Sequence, residues 1–457
     1  MGAGPGLLWR ARDYVDRSAR QSPARLALGV FALVIALMTA LLSMPWATRS
    51  GERAPFVDAL FTATSATTVT GLVVVPTGEY WSGWGLLVII VAVKIGGLGV
   101  MTLASLLGMA VSRRIGLTQR LLVSSETKVN RLGEVGSLVR TVIITSTVLE
   151  IAIALVLFPR LLMHGEPVGT AAWHAGFYAV SAFNNGGFVP TPEGLDPFVS
   201  DWWMLLPIIV GVFIGSLGFP VILNVVHHLR EPRRWSLHSK LTITTSLALV
   251  AFGAVVVAAF EWTNPGTFRP LDGGGTLLAS LFFGVMPRSG GFSTVDVGQM
   301  HEGTWLMLDA LMFVGGGSAS TAGGIKVTTL AVMLLAIVAE GRGDRDVEAY
   351  GRRISRDTLQ VAIAVSFVSA SIVLVASLLL LAITGLTLDR VLFEVISAFA
   401  TCGLTTGITP DLPTPAKYVL VVLMFIGRTG TMTLAAALAL RNRRRVIRFP
   451  EERPIIG

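Results

Sequence analysis

Apolar stretches long enough to cross a hydrocarbon core of ~30 Å, which takes about 20 helical residues, recur along the whole chain. The first, Leu26–Met44, is followed by no small-residue cleavage pattern of a secretory leader, so it predicts a retained helix. Full spans are predicted over 26–45, 84–111, 139–163, 203–226, 241–261, 304–339, 358–384 and 416–440. Between the members of each successive pair lies an apolar segment of about 12 residues, too short to cross. These segments, 55–68, 171–183, 276–287 and 390–400, predict re-entrant helices.

Each short segment runs into a comparable eight-residue stretch: SATTVTGL (65–72), SAFNNGGF (181–188), VMPRSGGF (285–292) and SAFATCGL (397–404). Glycine holds the seventh place in all four, as Gly71, Gly187, Gly291 and Gly403. A second glycine signature follows in the next span each time: IGGLG (95–99), IGSLG (214–218), VGGGS (314–318) and IGRTG (426–430). Two motifs recurring in step signal four internal repeats. The expected architecture is an all-α polytopic membrane protein of four pseudo-symmetric helix–pore loop–helix repeats around a central ion pore. Eight full spans and four re-entrant pore helices make up that plan. The repeats occupy 26–111, 139–226, 241–339 and 358–440, joined by linkers 112–138, 227–240 and 340–357, with terminal segments 1–25 and 441–457.

Composition agrees with lipid as the solvent. The 457 residues are 53% hydrophobic and only 14% charged, where a soluble chain carries about 25% charged residues. A net charge of +8 raises nucleic acid as a partner, but the basic residues form no single patch. They cluster before the first span, around Arg113–Arg140, at Arg230–Lys240, at Arg342–Arg356 and at Arg441–Arg453. That is the pattern of cytoplasmic loops, which orients both termini to the cytoplasm and excludes nucleic acid as the explanation. One cysteine, Cys402, excludes an intramolecular disulfide and a cysteine-based zinc site.

Irregular backbone at membrane depth is tolerated only when buried in protein or lining a watery cavity. Four such stretches around one axis can ring a cation with carbonyl oxygens that replace its hydration shell. Glycine suits the task because inward carbonyls demand dihedrals that a β-carbon disfavours. Short helices would also aim their partly negative C-terminal ends at the axis. The candidate filter is therefore Thr68, Val69, Thr70 and Gly71; Asn184, Asn185, Gly186 and Gly187; Arg288, Ser289, Gly290 and Gly291; Ala400, Thr401, Cys402 and Gly403. Helix packing competes as an account of the second glycine set, Gly96, Gly97 and Gly215 among them, and the pattern leaves that choice open.

The stretches FVDALFTATSATTVTGLVVV (56–75), GGGSASTAGGIKV (315–327) and DVEAYGRRI (346–354) resemble the Trk/Ktr/HKT superfamily of potassium transporters. The start of the first repeat and the tail RFPEERPIIG (448–457) make the Ktr membrane subunit the nearest type. The resemblance spans essentially residues 25–457. It implies potassium translocation, a homodimer in the cell membrane among its lipids, and a cytosolic nucleotide-binding ring as partner. The chain itself would need no cofactor. Potassium would be the transported ion, sodium stays open as a second one, and ATP, ADP or NAD would bind only the partner.

Basic residues inside predicted spans are functional hypotheses. Arg428 lies in the last inner span, and the resemblance implies a pore-facing barrier to cations. Residues 315–324 are all Gly, Ala, Ser or Thr and interrupt the third inner span, a composition suited to gating, with a simple helix kink as the competing reading. The candidate gate comprises Gly315, Gly316, Gly317, Ser318, Ser320, Thr321, Gly323, Gly324, Lys326 and Arg428. Arg288 is expected to anchor its loop from behind. Lys94 stands where related sequences usually carry a neutral polar residue such as Gln, and Glu150, the acid deepest in a long span, is its candidate partner.

Two other function classes compete. A membrane enzyme lacks support: the six histidines show no HExxH spacing, and no glycine-rich phosphate loop follows a strand. A coupled symporter of sodium or protons with potassium remains the alternative, though alternating-access carriers usually show inverted halves rather than four like-oriented repeats.

Overall fold

The structure is a computed structural model that describes residues 23–99 and 135–440. The N-terminal segment, the last part of the first inner span with the linker to 134, and the basic tail lie outside the described residues. The expected cytoplasmic placement of those basic clusters falls outside them too.

Fourteen α-helices of eight residues or more are present among the described residues. They are α1 (Pro23–Leu42), α2 (Phe56–Thr68), α3 (Gly83–Gly97), α4 (Val135–Met163), α5 (Val168–Phe183), α6 (Trp202–Leu217) and α7 (Phe219–His227). After these come α8 (Leu237–Glu261), α9 (Gly273–Val285), α10 (Glu302–Phe313), α11 (Val327–Arg342), α12 (Arg356–Thr384), α13 (Leu388–Phe399) and α14 (Thr414–Leu440). A small hairpin, β1 (Val347–Ala349) with β2 (Arg352–Ile354), pairs antiparallel between α11 and α12. The order outer helix, short helix, loop, inner helix recurs through α1–α3, α4–α6, α8–α10 and α12–α14. The short helices α2, α5, α9 and α13 sit within three residues of the re-entrant segments expected from sequence.

Polarity is inverted relative to a soluble protein. Leu155, Val255, Phe367 and Leu374 project outward, whereas Thr64, Ser65, Thr67, Thr68 and Thr70 are completely buried near the centre. Hydroxyls gather where helix ends and loops leave backbone groups to be satisfied away from lipid. Among the described residues, three helical segments are long and apolar enough to cross a membrane alone: Arg140–Met163, Leu237–Glu261 and Arg356–Thr384.

Two inner spans differ from expectation. The span expected over 203–226 is bent by 99° between α6 and α7. Gly218 takes φ +95°, a value open to glycine, and Pro220 then starts α7 without needing a hydrogen-bond acceptor. A β-carbon at Gly218 would lie 2.5 Å from the Ser318 carbonyl, so the chain turns where another segment passes beneath it. The span expected over 304–339 is likewise two helices, α10 and α11, separated by an irregular segment at 314–326. Its run of small residues explains the break.

Neighbouring units close on one another. Each inner helix packs on the short helix of the next unit: α3 on α5, α6 on α9, α10 on α13, and α14 back on α2. The four short helices are thereby held in a ring, all ending at the same place.

Candidate functional site

The loops leaving the short helices share one backbone design. In the first, the N–H of Thr70 donates to the Ser65 carbonyl at 2.8 Å and that of Val69 to Ala66 at 3.1 Å. This nested pair, with a left-handed residue inside it, is a standard way to end a helix and satisfy its last carbonyls. It recurs as Gly186 to Ser181 with Asn185 to Ala182, and as Cys402 to Ser397 with Thr401 to Ala398. The third loop varies: Arg288 N–H donates to Val285 and Gly290 N–H to Met286. Val69, Asn185, Ser289 and Thr401 all have positive φ, and so, two residues later, do Gly71, Gly187, Gly291 and Gly403. In extended chain successive carbonyls point to opposite sides. Reversing the sign of φ at alternate residues turns them toward one side.

The four glycines form a closed ring in chain order. A β-carbon on Gly71 would fall 3.1 Å from the Gly187 Cα, and one on Gly187 would fall 3.0 Å from the Gly291 Cα. From Gly291 the next neighbour is the Gly403 Cα at 3.3 Å, and from Gly403 it is the Gly71 Cα at 3.1 Å. The same four positions face the carbonyl oxygens of Gly186, Gly290, Cys402 and Thr70 in turn. A β-carbon would collide with a backbone oxygen at Gly71, Gly291 and Gly403 and be tight against backbone at Gly187, and all four have positive φ.

Buried side chains brace the ring. Thr68 Oγ1 lies 2.7 Å from Thr70 Oγ1, and Ser181 Oγ donates to the Phe188 carbonyl. Ser289 Oγ donates to the Thr401 carbonyl at 2.6 Å, joining the third loop to the fourth, as does Cys402 Sγ to the Pro287 carbonyl. The Arg288 guanidinium is fully buried and sits 5.6 Å from the centre of the Phe213 ring on α6. Ala400, which ends α13, is buried as well.

The inner-helix glycines resolve toward packing. A β-carbon on Gly96, Gly215 or Gly427 would collide with the carbonyl of Thr67, Phe183 or Phe399, so each inner helix lies against the end of its own short helix. Gly315 differs, meeting the Gly323 carbonyl of the irregular segment.

That segment passes below the ring and is bonded to it. Thr321 Oγ1 donates to Asn185 Oδ1 at 2.8 Å, and the Gly323 N–H to Ser289 Oγ at 3.2 Å. Gly317 N–H donates to the Ser216 carbonyl, and Phe219 N–H at the start of α7 reaches the Ala319 carbonyl. Lys326 Nζ turns back to the Ala322 carbonyl at 2.7 Å. Gly316 is packed against the Ser216 carbonyl, Ser318 is half-buried with Ser320, and Gly324 takes φ +67°. Arg428 on α14 is buried and donates to the Thr321 carbonyl and to that of Gly96. The irregular segment is thus hydrogen-bonded to the second and third short loops and to α14.

Sequence reasoning missed three buried carboxylates. Glu261 accepts from Thr304 Oγ1, Thr267 Oγ1, Asn264 Nδ2 and the His301 N–H, closing the C-terminal end of α8 onto α10. Glu394 on α13 accepts from Thr405, Thr409 and the Thr406 N–H, holding the chain that leaves the fourth loop. Asp309 on α10 is 5% exposed. An acid inside the short apolar segment 390–400 was the available signal for Glu394. The Lys94–Glu150 contact does form, with Nζ at 2.6 Å from both carboxylate oxygens.

Comparison with known proteins fits this geometry. The family profile described as the TrkH cation transport protein matches residues 9–443. The chain belongs to the TrkH family. Within that family it is 39% identical to the Ktr system potassium uptake protein B of Bacillus subtilis, over 98% of this chain and 99% of that one. It is 32% identical to the potassium/sodium uptake protein NtpJ of Enterococcus hirae, covering 96% of this chain and 98% of that protein. The structure of the potassium transporter TrkH from Vibrio parahaemolyticus superimposes with a TM-score of 0.68 at 18% identity, covering 91% of this chain and 85% of the other. As a TrkH-family member with outward apolar helices, the chain is a membrane transport protein, and its named relatives are uptake proteins.

Proposed function

We propose that this chain is the ion-translocating subunit of a potassium uptake system, with the glycine-ring loops as its filter. The closed ring of Gly71, Gly187, Gly291 and Gly403, each facing a neighbouring loop carbonyl, carries the reading. Carbonyls of Thr68–Gly71, Asn184–Gly187, Arg288–Gly291 and Ala400–Gly403 would take the place of the ion's water shell. Short helices end at the ring and lend it their negative ends.

The 314–326 segment with Arg428 is the gate in this proposal. It lies beneath the filter, is bonded to it, and holds a permanently charged guanidinium near the path. The resemblance to Ktr proteins supports a homodimer in the cell membrane with cytoplasmic termini and a nucleotide-binding cytosolic regulator. Coupling to sodium is the second reading, favoured by the likeness to a protein named for potassium and sodium uptake.

Expression in cells without potassium uptake tests the function. Growth at low potassium is the expected result. Absence of potassium and rubidium flux through the purified full chain in proteoliposomes, with its regulator added, would falsify the proposal.

A further inference from the structure

The second filter loop is supported differently from the other three. Two residues before the first inner-helix glycine, the chain has Lys94, Phe213, Phe313 and Phe425 in its four units. Three aromatic rings and one ammonium therefore occupy equivalent places where an inner helix meets the next unit. Lys94 Nζ contacts both Glu150 oxygens at 2.6 Å and donates to Ser146 Oγ at 3.0 Å. Glu150 Oε1 in turn accepts from Asn184 Nδ2 at 2.7 Å. Asn184 and Glu150 are 1% and 5% exposed.

Asn184 Nδ2 also donates to the Val180 carbonyl of its own helix at 2.8 Å, so the amide is held between backbone and carboxylate. A β-carbon on Gly97 of α3 would sit 2.0 Å from its Oδ1, so the amide is wedged between helix backbone and carboxylate. The same helix touches the loop again, since a β-carbon on Gly186 would meet Val93 Cγ1 at 2.7 Å. Immediately after Asn184 come the left-handed Asn185 and the Gly186 carbonyl that faces Gly71. A shift of the amide is thus passed to a ring carbonyl two residues on.

Glu150 is buried and Lys94 partly so, and an ion pair removed from water is a poor device for stability, because desolvation offsets much of the attraction; its better-attested use is to fix register. We propose, resting on the filter reading above, that Glu150, held by Lys94, is a positioning residue for the second filter loop and contributes to discrimination between potassium and sodium. Lys94 is a counter-ion to this support. Its ammonium bonds Glu150 and Ser146, and in this proposal it acts on the loop only through Glu150.

The test is rubidium influx into proteoliposomes holding the full-length chain, competed by potassium or by sodium. Lys94→Ala/Glu150→Ala removes the carboxylate acceptor of Asn184, leaving its bond to Val180 and no lone charge, and should lower potassium-over-sodium discrimination about tenfold, the equivalent of one charge-assisted hydrogen bond. Lys94→Gln/Glu150→Gln keeps an acceptor for Asn184 and should restore most of it. Unchanged discrimination in the double alanine variant, or no recovery in the double glutamine variant, overturns the proposal. Should the double alanine variant not reach the membrane, Asn184→Ala gives the same reading while leaving the ion pair whole. Its discrimination should fall, and an unchanged value overturns the proposal. A parent protein that carries neither potassium nor rubidium would refute the pore itself, whereas a selective parent with indifferent variants refutes only the positioning role.

Discussion

The guanidinium of Arg428 donates to the Gly96 carbonyl at 2.6 Å, tying the last inner helix to the first, its neighbour in the ring. Its other arm holds the Thr321 carbonyl of the irregular segment. One side chain therefore fastens the segment to a fixed wall. Replacing Arg428 by Ala removes both bonds and the charge, and flux of rubidium through proteoliposomes should rise about tenfold or more, given ~1.5–3 kcal/mol for a charged hydrogen bond. Arg428→Lys keeps the charge but cannot present the planar fork, so it should give an intermediate rise. Lower flux in the alanine variant would point to a structural role.

Gly71→Ser places a β-carbon 2.7 Å from the Gly186 carbonyl at a residue with φ +88°. Discrimination against sodium should fall, and a competition assay with sodium reads it directly. Gly385 supplies the control. It also has positive φ, but a β-carbon there meets nothing. Gly385→Ala should lower stability by ~1 kcal/mol through backbone strain and leave selectivity untouched. Equal selectivity in both variants would count against the filter assignment.

Gly427→Ala drives a methyl into the Phe399 carbonyl at the end of α13. Overpacking of this kind costs ~1–3 kcal/mol. The expected outcome is a lower melting temperature of the detergent-solubilised protein. No change in melting would mean that α13 and α14 are less tightly joined than this contact requires.

Asp201 caps α6 from outside the membrane region, accepting from Trp203 and Met204 N–H groups and from Arg160 Nε at 2.6 Å. Partial burial pushes its carboxyl upward, but Arg160 and the cap bonds outweigh that and hold it below the usual value of 3.8. A carboxyl depressed on folding stabilises the native state fully above the unfolded value, and the contribution fades as pH falls through the folded one. Asp201→Asn should therefore lower stability at neutral pH and show a flatter decline below about pH 4. Parallel acid-denaturation curves for the two proteins would contradict this.

Period and repetition made much of the architecture readable in advance. SATTVTGL and its three counterparts marked the short helices, because polar residues after an apolar run too short to cross fit little besides a re-entrant turn. The bend at Gly218 was hidden, since 203–226 is apolar on both sides of the break. What turns the chain there is the Ser318 carbonyl, a hundred residues away in sequence and adjacent only after folding. The meaning of Gly96, Gly215 and Gly427 was equally out of reach, because a packing glycine and a hinge glycine look alike until the facing carbonyl is seen. Glu261 and Glu394 escaped notice for a related reason. Glu261 is satisfied by groups spread from Asn264 to Thr304, and Glu394 by Thr405, Thr406 and Thr409 beyond the loop, which no spacing rule collects.

The right-angle turn between α6 and α7 has a mechanical consequence. Beyond Gly218 the helix no longer runs with the other inner helices but departs sideways, and its first N–H holds the Ala319 carbonyl at 3.2 Å. The nine residues of α7 thus form a crank whose short arm is fastened to the irregular segment. A sideways load on its far end, near His227, is converted into a pull on the bonds that Thr321 and Gly323 make overhead.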